Sequence, residues 1–323
     1  MSTTTNASSS NRDATRLPRV LVLMGGPDAE RNVSLMSGAE VTRALVASGE
    51  FDVVSVTVDR PTAAEILAHR PDVIFPIVHG PFGEGGPLQQ ILELISMEHG
   101  IGYVGPKPQP ASIAMHKLAT KQIASSVGVR TPRSREIRRG EVLDLTPPLV
   151  LKPSNDGSSV DLRICTTPQE VERARLELEP RRTRVMAESF IRGRELTVGL
   201  IDGECLPTIE IRPREGTYDY EAKYHRDDTQ YVLDPELPEG VAEAVRAFSR
   251  AAWHAVGCRD VARADFMLDA RGPWFLEINT MPGFTDHSLV PKAARHAGIP
   301  MDRLVAGLVH RALGRRRPGR AAA

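Results

Sequence analysis

The chain has 323 residues, 41% of them hydrophobic and 25% charged, which is typical of a globular protein with room for two or three domains. Lys plus Arg and Asp plus Glu both number 41, so the overall charge does not favour nucleic acid or an anionic membrane as a partner. No apolar run reaches the length of a membrane span, and three widely spaced cysteines, Cys165, Cys205 and Cys258, favour reduced thiols in a cytoplasmic protein.

Apolar runs alternate with helical stretches through the first third of the chain. Residues 1–18 are rich in Ser and Thr and lack an apolar core, so they are predicted to be a disordered tail rather than a secretory signal. Strands are predicted over residues 19–24, 51–58 and 73–78, and helices over residues 28–47, 62–69 and 86–99. This alternation predicts a parallel sheet. Glycine turns follow two of the strands, at Gly25-Gly26 and Gly80, where open α/β sheets bind ligands.

The pattern changes after Pro106. The predicted elements are a helix over 112–127, strands over 149–152 and 159–164, a helix over 167–178, a strand over 184–190, a hairpin over 194–211 turned at Asp202-Gly203, a helix over 239–256, a hairpin over 261–279, and helices over 289–297 and 302–312. Residues 212–235 show little periodicity, which indicates a functional or disordered loop. The predicted domains are 19–107, 108–187 and 188–314, with a second disordered tail over 315–323.

The last hairpin carries the strongest chemical signal. Side chains alternate faces along a strand, so Arg263 shares a face with Asp265, and Glu277 shares one with Asn279. A three-residue turn at residues 270–272 would set Asp265 opposite Glu277. Adjacent carboxylates repel each other unless a cation lies between them, and oxygen donors without Cys or His suit Mg²⁺. We therefore predict a magnesium site, against the alternative of a solvated polar face.

A magnesium site suggests a phosphorylated ligand, and two lysines are candidates for contacting it. Neither GxxxxGK[ST] nor GxGxxG occurs in the chain. Instead, residues 152–159 (KPSNDGSS) lie between two predicted strands, where backbone N–H groups and hydroxyls can close over phosphates and Lys152 adds charge. Lys117, in a predicted helix, is the second candidate; its alternative is a solvent-facing lysine.

Taken together, these segments resemble the ATP-grasp fold and, within it, the D-alanine–D-alanine ligase family. The matching stretches, in family order, are Gly25-Gly26 with Ala29-Glu30-Arg31 and Val33-Ser34-Leu35; His79-Gly80 with Gly83-Glu84; Lys152-Pro153 with Gly157-Ser158-Ser159-Val160; YDYEAKY at 218–224; and Glu277-Ile278-Asn279-Thr280 with Pro282-Gly283-Phe284-Thr285 and His287-Ser288-Leu289. The resemblance implies a fold of α/β and α+β class: an N-terminal Rossmann-like parallel-sheet domain that binds substrate, followed by the small and large lobes of an ATP-grasp fold.

The resemblance also implies an activity. The family is cytoplasmic and commonly dimeric, and it uses ATP and two Mg²⁺ ions, with Mn²⁺ as an alternative, to join two D-alanines through an acyl phosphate for peptidoglycan precursors. No nucleic-acid or membrane partner is expected. Two alternatives stay open: a ligase with another acceptor, such as D-lactate or another D-amino acid, and a catalytically silent nucleotide-binding paralogue.

The implied roles fall into three groups. The nucleotide group comprises Glu188 at the adenine edge with Ile191, Glu195 at the ribose hydroxyls, and Lys117, Lys152 and Ser159 at the phosphates. The metal group comprises Asp265, Glu277 and Asn279. The substrate group comprises Glu30 at the first ammonium with His79 nearby, Lys223 at the transferring phosphate, Ser158 and Tyr224 in a hydrogen-bond network with Glu30, Arg263 and the Gly283 N–H at the oxyanion, and Ser288 and Leu289 at the second carboxylate. For His79 the alternative is a hydrogen-bonded histidine at a strand end.

Four positions depart from the family pattern. His116 and Gly85 stand where Asp is usual, Asp161 stands where Gly is usual, and Asn32 replaces a frequent Glu. Asp161 adds negative charge beside the phosphate segment. We therefore expect an effect on nucleotide affinity, and a specialised paralogue stays open.

Overall fold

The structure is a computed structural model, and it describes residues 16–138, 141, 143–155, 161–213 and 229–315. The described strands form three sheets, each built from one part of the chain. Four of the predicted site residues lie outside the described residues: Ser158, Ser159, Lys223 and Tyr224. Among the helices that are described, none combines the length and apolarity needed to cross a membrane.

The first sheet is the predicted parallel one. Its strands are β1 Arg19–Gly25, β2 Asp52–Val58, β3 Val73–Pro76 and β4 Gly102–Tyr103, in the order β2-β1-β3-β4. Its helices are α1 Arg31–Ser48, α2 Ala63–Ala68, α3 Gly80–Glu84 and α4 Pro87–His99. Strand β3 is buried along its whole length because the sheet is covered on both faces, as parallel sheets usually are. The short helix α3 was not predicted.

Two helices, rather than the single predicted one, connect the first sheet to the rest of the chain. They are α5 Pro108–Met115 and α6 Lys117–Ser126. His116 breaks the helix because its backbone is extended, with φ −91° and ψ 93°, and its Nδ1 accepts a hydrogen bond from the Ala119 N–H as an N-cap. The prediction of one helix over 112–127 was therefore wrong, because helical periodicity continues across a break that one dihedral angle creates.

The second sheet is antiparallel and smaller. Its strands are β5 Ser134–Ile137, β6 Leu149–Pro153, β7 Arg163–Cys165 and β8 Val185–Ser189, in the order β5-β8-β6-β7, and helix α7 Pro168–Leu178 packs on it. Strand β7 begins later than predicted, because Asp161 adopts a left-handed backbone with φ 57°. Strand β8 runs through the predicted domain border at Ala187 to Ser189.

The third sheet is antiparallel and forms the largest part of the C-terminal half. Its strands are β9 Arg194–Ile201, β10 Glu204–Arg212, β11 Gln230–Leu233, β12 Val261–Asp269 and β13 Gly272–Asn279, in the order β11-β10-β9-β12-β13. The remaining helices of the described residues are α8 Val241–Val256, α9 Leu289–His296 and α10 Met301–Gly314. Asp202 and Gly203 both have positive φ, which confirms the predicted tight turn. Strand β11 was not predicted, so residues 212–235 are not a loop throughout.

Asp260 joins the first part of the chain to the third. It is fully buried and accepts hydrogen bonds from the Gly105 N–H, at 2.8 Å, and from two nitrogens of Arg315, each at 2.7 Å. Gly105 follows β4, whereas Arg315 follows α10. A buried carboxylate with three donors holds these segments in one arrangement, because each donor would lose its partner if they separated.

Candidate active site

The site is built on the hairpin of β12 and β13. Asp265 pairs with Glu277, and Arg263 pairs with Asn279, which confirms the predicted position of Asp265 opposite Glu277. The predicted three-residue turn is wrong, however, because Asp269 pairs with Gly272 across a two-residue turn. A β-bulge next to Asp265 compensates for the shorter turn, because one extra residue on β13 shifts the register by one position. Asp265 therefore still pairs with Glu277.

Cationic and polar groups already surround the two opposed carboxylates. Arg263 donates to both oxygens of Asp265, from Nε at 2.9 Å and Nη2 at 2.8 Å, and the Thr197 hydroxyl donates to Oδ1 at 2.6 Å. The Lys117 ammonium lies 3.2 Å from Oε2 of Glu277. These partners offset the repulsion between the two carboxylates.

The donor set of the hairpin suits a hard cation. Asp265 and Glu277 provide carboxylate oxygens, and Asn279 provides an amide oxygen that accepts from the Met281 N–H at 3.0 Å. Within the described ranges no three His, Cys, Asp or Glu side chains converge as a metal cluster. Mg²⁺ is commonly held by one or two carboxylates together with phosphate oxygens and water, so two carboxylates and an amide fit it.

A buried chain of opposite charges lies beside the hairpin. Glu188 on β8 is 3% exposed, and its two oxygens contact the Lys121 ammonium at 2.5 Å and the Lys152 ammonium at 3.0 Å. Burial opposes the ionised carboxylate, but the two lysines outweigh it and lower the pKa of Glu188. Burial likewise opposes the charged form of Lys152, yet Glu188 and Glu277 raise its pKa. The predicted phosphate lysine is therefore held as a cation.

Lys121 was missed by the sequence analysis. It lies one helical turn after Lys117 on α6, and the spacing of four residues puts both side chains on the same side of the helix. Its side chain is 3% exposed, and its ammonium also donates to the carbonyl of Phe275 on β13, at 3.3 Å. The sequence did contain a signal for Lys121: a second lysine four residues after Lys117 lies on the same side of the helix, one turn further along.

His79 lies at the end of the parallel sheet, at the N-cap of α3. Its Nδ1 is 2.7 Å from Oε1 of Glu84, and its Nε2 is buried without a hydrogen-bond partner. Burial lowers the pKa of His79, but the hydrogen bond to Glu84 and the charges of Glu84 and Glu30 outweigh it and raise the pKa. Arg263 acts in the opposite direction, so Glu30, His79 and Arg263 lie within electrostatic range of one another. Two predicted residues at helix N-caps of the first domain, Glu30 and His79, thus interact electrostatically with the part of the third sheet that carries Arg263.

A turn after β13 completes this side of the site. A side chain at Gly283 would meet the Ser288 hydroxyl at 2.9 Å, so the turn approaches Ser288 closely. Ser288 is the N-cap of α9 and its hydroxyl accepts from the Thr285 N–H at 2.9 Å, while Leu289, the first residue of α9, is buried. The Phe284 N–H donates to the Ser37 hydroxyl of α1, which ties the turn to the first domain.

Glu195 and Ile191 are the remaining predicted nucleotide residues in the described part of the chain. Glu195 on β9 is close enough to raise the pKa of Lys152, and Ile191 is buried between β8 and β9. Asp161, which departs from the family pattern, is bound by Arg182 Nε at 2.7 Å, so its charge is compensated within its own lobe. The expected addition of negative charge beside the phosphate segment is correspondingly weakened.

Comparison with known proteins gives matches along the whole fold. A sequence model described as the D-ala D-ala ligase C-terminus matches residues 122–310. D-alanine–D-alanine ligase of Bordetella petrii is 40% identical over 310 residues, covering 93% of this chain and 94% of that protein. D-alanine–D-alanine ligase of Aquifex aeolicus is 36% identical over 298 residues, covering 90% and 99%. The crystal structure of the Bacillus anthracis ligase of that name, complexed with ATP, has a TM-score of 0.80 and 31% identity, and covers 93% of this chain and 98% of that chain. These matches confirm the predicted fold class.

Proposed function

Because the chain belongs to the D-alanine–D-alanine ligase family, we propose that it uses ATP to join two molecules of D-alanine into D-alanyl-D-alanine, a precursor of peptidoglycan. The observation that carries the proposal is the opposed pair Asp265 and Glu277, with Lys117 and Lys152 beside it, in a chain that its relatives match over nearly its whole length. This arrangement supports binding of a nucleotide triphosphate whose terminal phosphate is transferred.

The nucleotide is assigned to the space between the second and third sheets. Glu188 and Ile191 are assigned to the adenine, Glu195 to the ribose, and Lys117, Lys152 and Ser159 to the phosphates. The buried position of Glu188 supports this role, because a buried carboxylate binds a base that offers it a hydrogen-bond donor better than one that does not. Asp265, Glu277 and Asn279 would hold two Mg²⁺ ions, or Mn²⁺, which neutralise charge on the phosphates when bound.

The reaction has two steps. The carboxylate of the first D-alanine attacks the γ-phosphate, which forms an acyl phosphate and releases ADP. The amine of the second D-alanine then attacks the acyl carbon, a proton leaves the amine, and phosphate departs from the tetrahedral intermediate. The protein contributes positioning and charge neutralisation at each step.

The substrate residues divide between the two D-alanines. We assign Glu30 and His79 to the first D-alanine, and Ser288 and Leu289 to the carboxylate of the second. The N-terminal N–H groups of α9 support this second assignment, because they favour a negative charge. The guanidinium of Arg263 and the N–H of Gly283 are assigned to the oxyanion of the intermediate. Lys223 is assigned to the transferring phosphate, and Ser158 and Tyr224 to a network with Glu30.

The test is a product assay. The protein is incubated with ATP and Mg²⁺, with and without D-alanine, and ADP and the organic product are identified by mass. We expect ADP release that depends on D-alanine and yields the dipeptide, with L-alanine a far poorer substrate. ATP turnover unchanged by omitting D-alanine would overturn the proposal. Adding D-lactate and other D-amino acids separately tests the acceptor.

We also propose that the chain acts as a homodimer in the cytoplasm, as the resemblance implies. Light scattering of the purified protein measures the assembly. A monomer at working enzyme concentration that retains full activity would contradict the need for a dimer.

A further inference from the structure

Lys121 is a buried cation that the proposed reaction does not use. Its side chain is 3% exposed, and its ammonium lies 2.5 Å from one oxygen of Glu188 and donates to the Phe275 carbonyl at 3.3 Å. Burial lowers the pKa of Lys121, and Glu188 partly counters this effect. A buried lysine is costly unless it is paired, so its partner Glu188 explains how it is tolerated.

The other oxygen of Glu188 contacts Lys152, at 3.0 Å. Lys152 is the lysine that the proposed function assigns to the phosphates of ATP, so one ammonium has two competing partners. If Glu188 had Lys152 as its single cation, moving that cation to a phosphate would leave a buried carboxylate unpaired. Removing one partner from a buried ion pair is strongly unfavourable, so the carboxylate would hold Lys152 back.

We infer that Lys121 is a positioning residue for ATP binding: it serves as the lasting counter-ion of Glu188 and thereby leaves Lys152 available to the phosphates. This inference rests on the proposed function. Lys121 acts through Glu188 rather than by touching the nucleotide, in keeping with its burial on α6 against β13. The same side chain links α6, which carries Lys117, to the strand that carries Glu277.

The test is a double-mutant cycle on ATP affinity. Lys121→Met, Glu188→Gln and the double variant are compared with wild type for the KM of ATP, the KM of D-alanine and kcat. We expect Lys121→Met to raise the KM of ATP about tenfold or more, with kcat at saturating ATP and the KM of D-alanine changed by less than about threefold. In the Glu188→Gln background the same substitution should change the KM of ATP by less than about twofold, because no carboxylate competes for Lys152.

Two outcomes overturn the inference. One is an unchanged KM for ATP in Lys121→Met. The other is an equal effect in both backgrounds, which would mean that Lys121 acts independently of Glu188. Lys107→Met removes an exposed lysine from the N-cap of α5 and is the matched control for loss of one charge. It should leave all three constants unchanged.

The cycle stays informative if a variant folds poorly or the reaction differs from the proposal. Lys121→Gln keeps a donor for Glu188 and the Phe275 carbonyl but no charge, so it should show the same rise in KM if Lys121→Met does not fold. Calorimetric titration with ATP alone gives the same cycle from dissociation constants. A wild type that binds ATP but releases no ADP with D-alanine contradicts the proposed function while the cycle still tests Lys121.

Discussion

Asp265 lies directly opposite Glu277 on β12 and β13, and each carboxylate contacts its own cation, Arg263 for Asp265 and Lys117 for Glu277. The two anionic side chains are therefore held next to each other by groups from different elements. This arrangement would keep the oxygen donors in place for the proposed divalent cation, because the repulsion between the carboxylates is already offset.

The first prediction concerns Glu277. Glu277→Gln should abolish ligation and keep the fold, because it removes a charge without changing the volume. The rate of ADP release at increasing Mg²⁺ checks the activity, and circular dichroism with thermal unfolding checks the fold. Glu204→Gln, at an exposed position on β10, is the matched control and should be fully active. Near-normal turnover of Glu277→Gln at ordinary Mg²⁺ would falsify the metal assignment.

The second prediction concerns Arg263. Arg263→Lys should bind ATP normally but lose most of the rate, on the order of a hundredfold, because lysine keeps the charge and loses the planar fork. In the structure that fork contacts both oxygens of Asp265, which one ammonium cannot do with the same geometry. Calorimetry measures ATP binding and single-turnover kinetics measure the rate. A retained rate with weakened ATP affinity would assign Arg263 to the nucleotide instead.

The hairpin illustrates how far the sequence predicts this site. The alternation predicted that Arg263 shares a face with Asp265 and Glu277 with Asn279, because the period of a strand is two residues. The pairing of Asp265 with Glu277 across the hairpin was predicted from an assumed three-residue turn. The turn was predicted one residue too long, and the bulge beside Asp265 was not predicted. These two errors cancel in the register. A bulge depends on the twist of the packed sheet, which a local pattern does not contain.

Other features depend on contacts between distant segments and could not be predicted locally. The break at His116 is stabilised by a hydrogen bond from the Lys117 N–H to the carbonyl of Ser154, the residue directly after β6, at 2.8 Å. Strand β11 exists because it pairs with β10. Nothing in the local sequence distinguishes Lys121 from an ordinary surface lysine of a helix. Its burial follows from packing against Glu188 and β13. Family resemblance supplied the substrate roles, which no periodicity could have supplied.

The third prediction concerns the pH dependence of His79. Its pKa in the folded protein is raised above the ordinary 6.5, so protonation stabilises the fold. That contribution is fully present below the unfolded pKa and is lost as the pH rises through the folded pKa. Glu84→Gln removes the charge and should lower the pKa of His79. The difference in free energy of unfolding between wild type and Glu84→Gln should therefore be largest below the unfolded pKa of His79. It should shrink as the pH rises through the folded pKa.

Two measurements check this prediction. Chemical unfolding of both proteins between about pH 5 and 8 gives the gap in free energy, within the range where histidine ordinarily titrates. Nuclear magnetic resonance follows the imidazole directly, and because the chain has nine histidines, His79→Asn identifies the signal. A gap that widens with rising pH, or an unchanged titration midpoint, would be incompatible with the Glu84 contact.

The fourth prediction concerns Asp161, whose φ of 57° is left-handed. Asp161→Gly loses the ion pair with Arg182 but suits this backbone, whereas Asp161→Ala loses the pair and adds strain of about 1 kcal/mol. Asp161→Asn loses the charge and tolerates the left-handed region. Urea unfolding should therefore rank alanine as the least stable variant, with glycine and asparagine closer to wild type. Equal stability of the alanine and glycine variants would argue against a left-handed residue here.

The last prediction concerns His116, the N-cap of α6. Its Nδ1 lies 3.2 Å from the Ala119 nitrogen and its Nε2 lies 2.8 Å from Nη1 of Arg184. Both neighbours are donors, but a neutral imidazole has one acceptor nitrogen, so only one of the two contacts is a hydrogen bond at a time. An aspartate is shorter, but one of its oxygens can accept from the Ala119 N–H and the other from the half-exposed Arg184 once that side chain moves toward it. It also places a negative charge at the start of the helix, where the dipole favours it.

His116→Asp should therefore stabilise the protein by about 1 kcal/mol, and His116→Ala should destabilise it by a similar amount, because it removes the cap. Thermal unfolding measures both changes. The gain from aspartate should fall when Arg184→Met removes the second donor, since the carboxylate then accepts only from the Ala119 N–H. If His116→Asp lowered the stability, or if its gain were unaffected by Arg184→Met, the two-acceptor account of this cap would be wrong.

The stability of α6 also sets how firmly Lys117 and Lys121 are held, so the more stable variant should bind ATP at least as tightly as wild type.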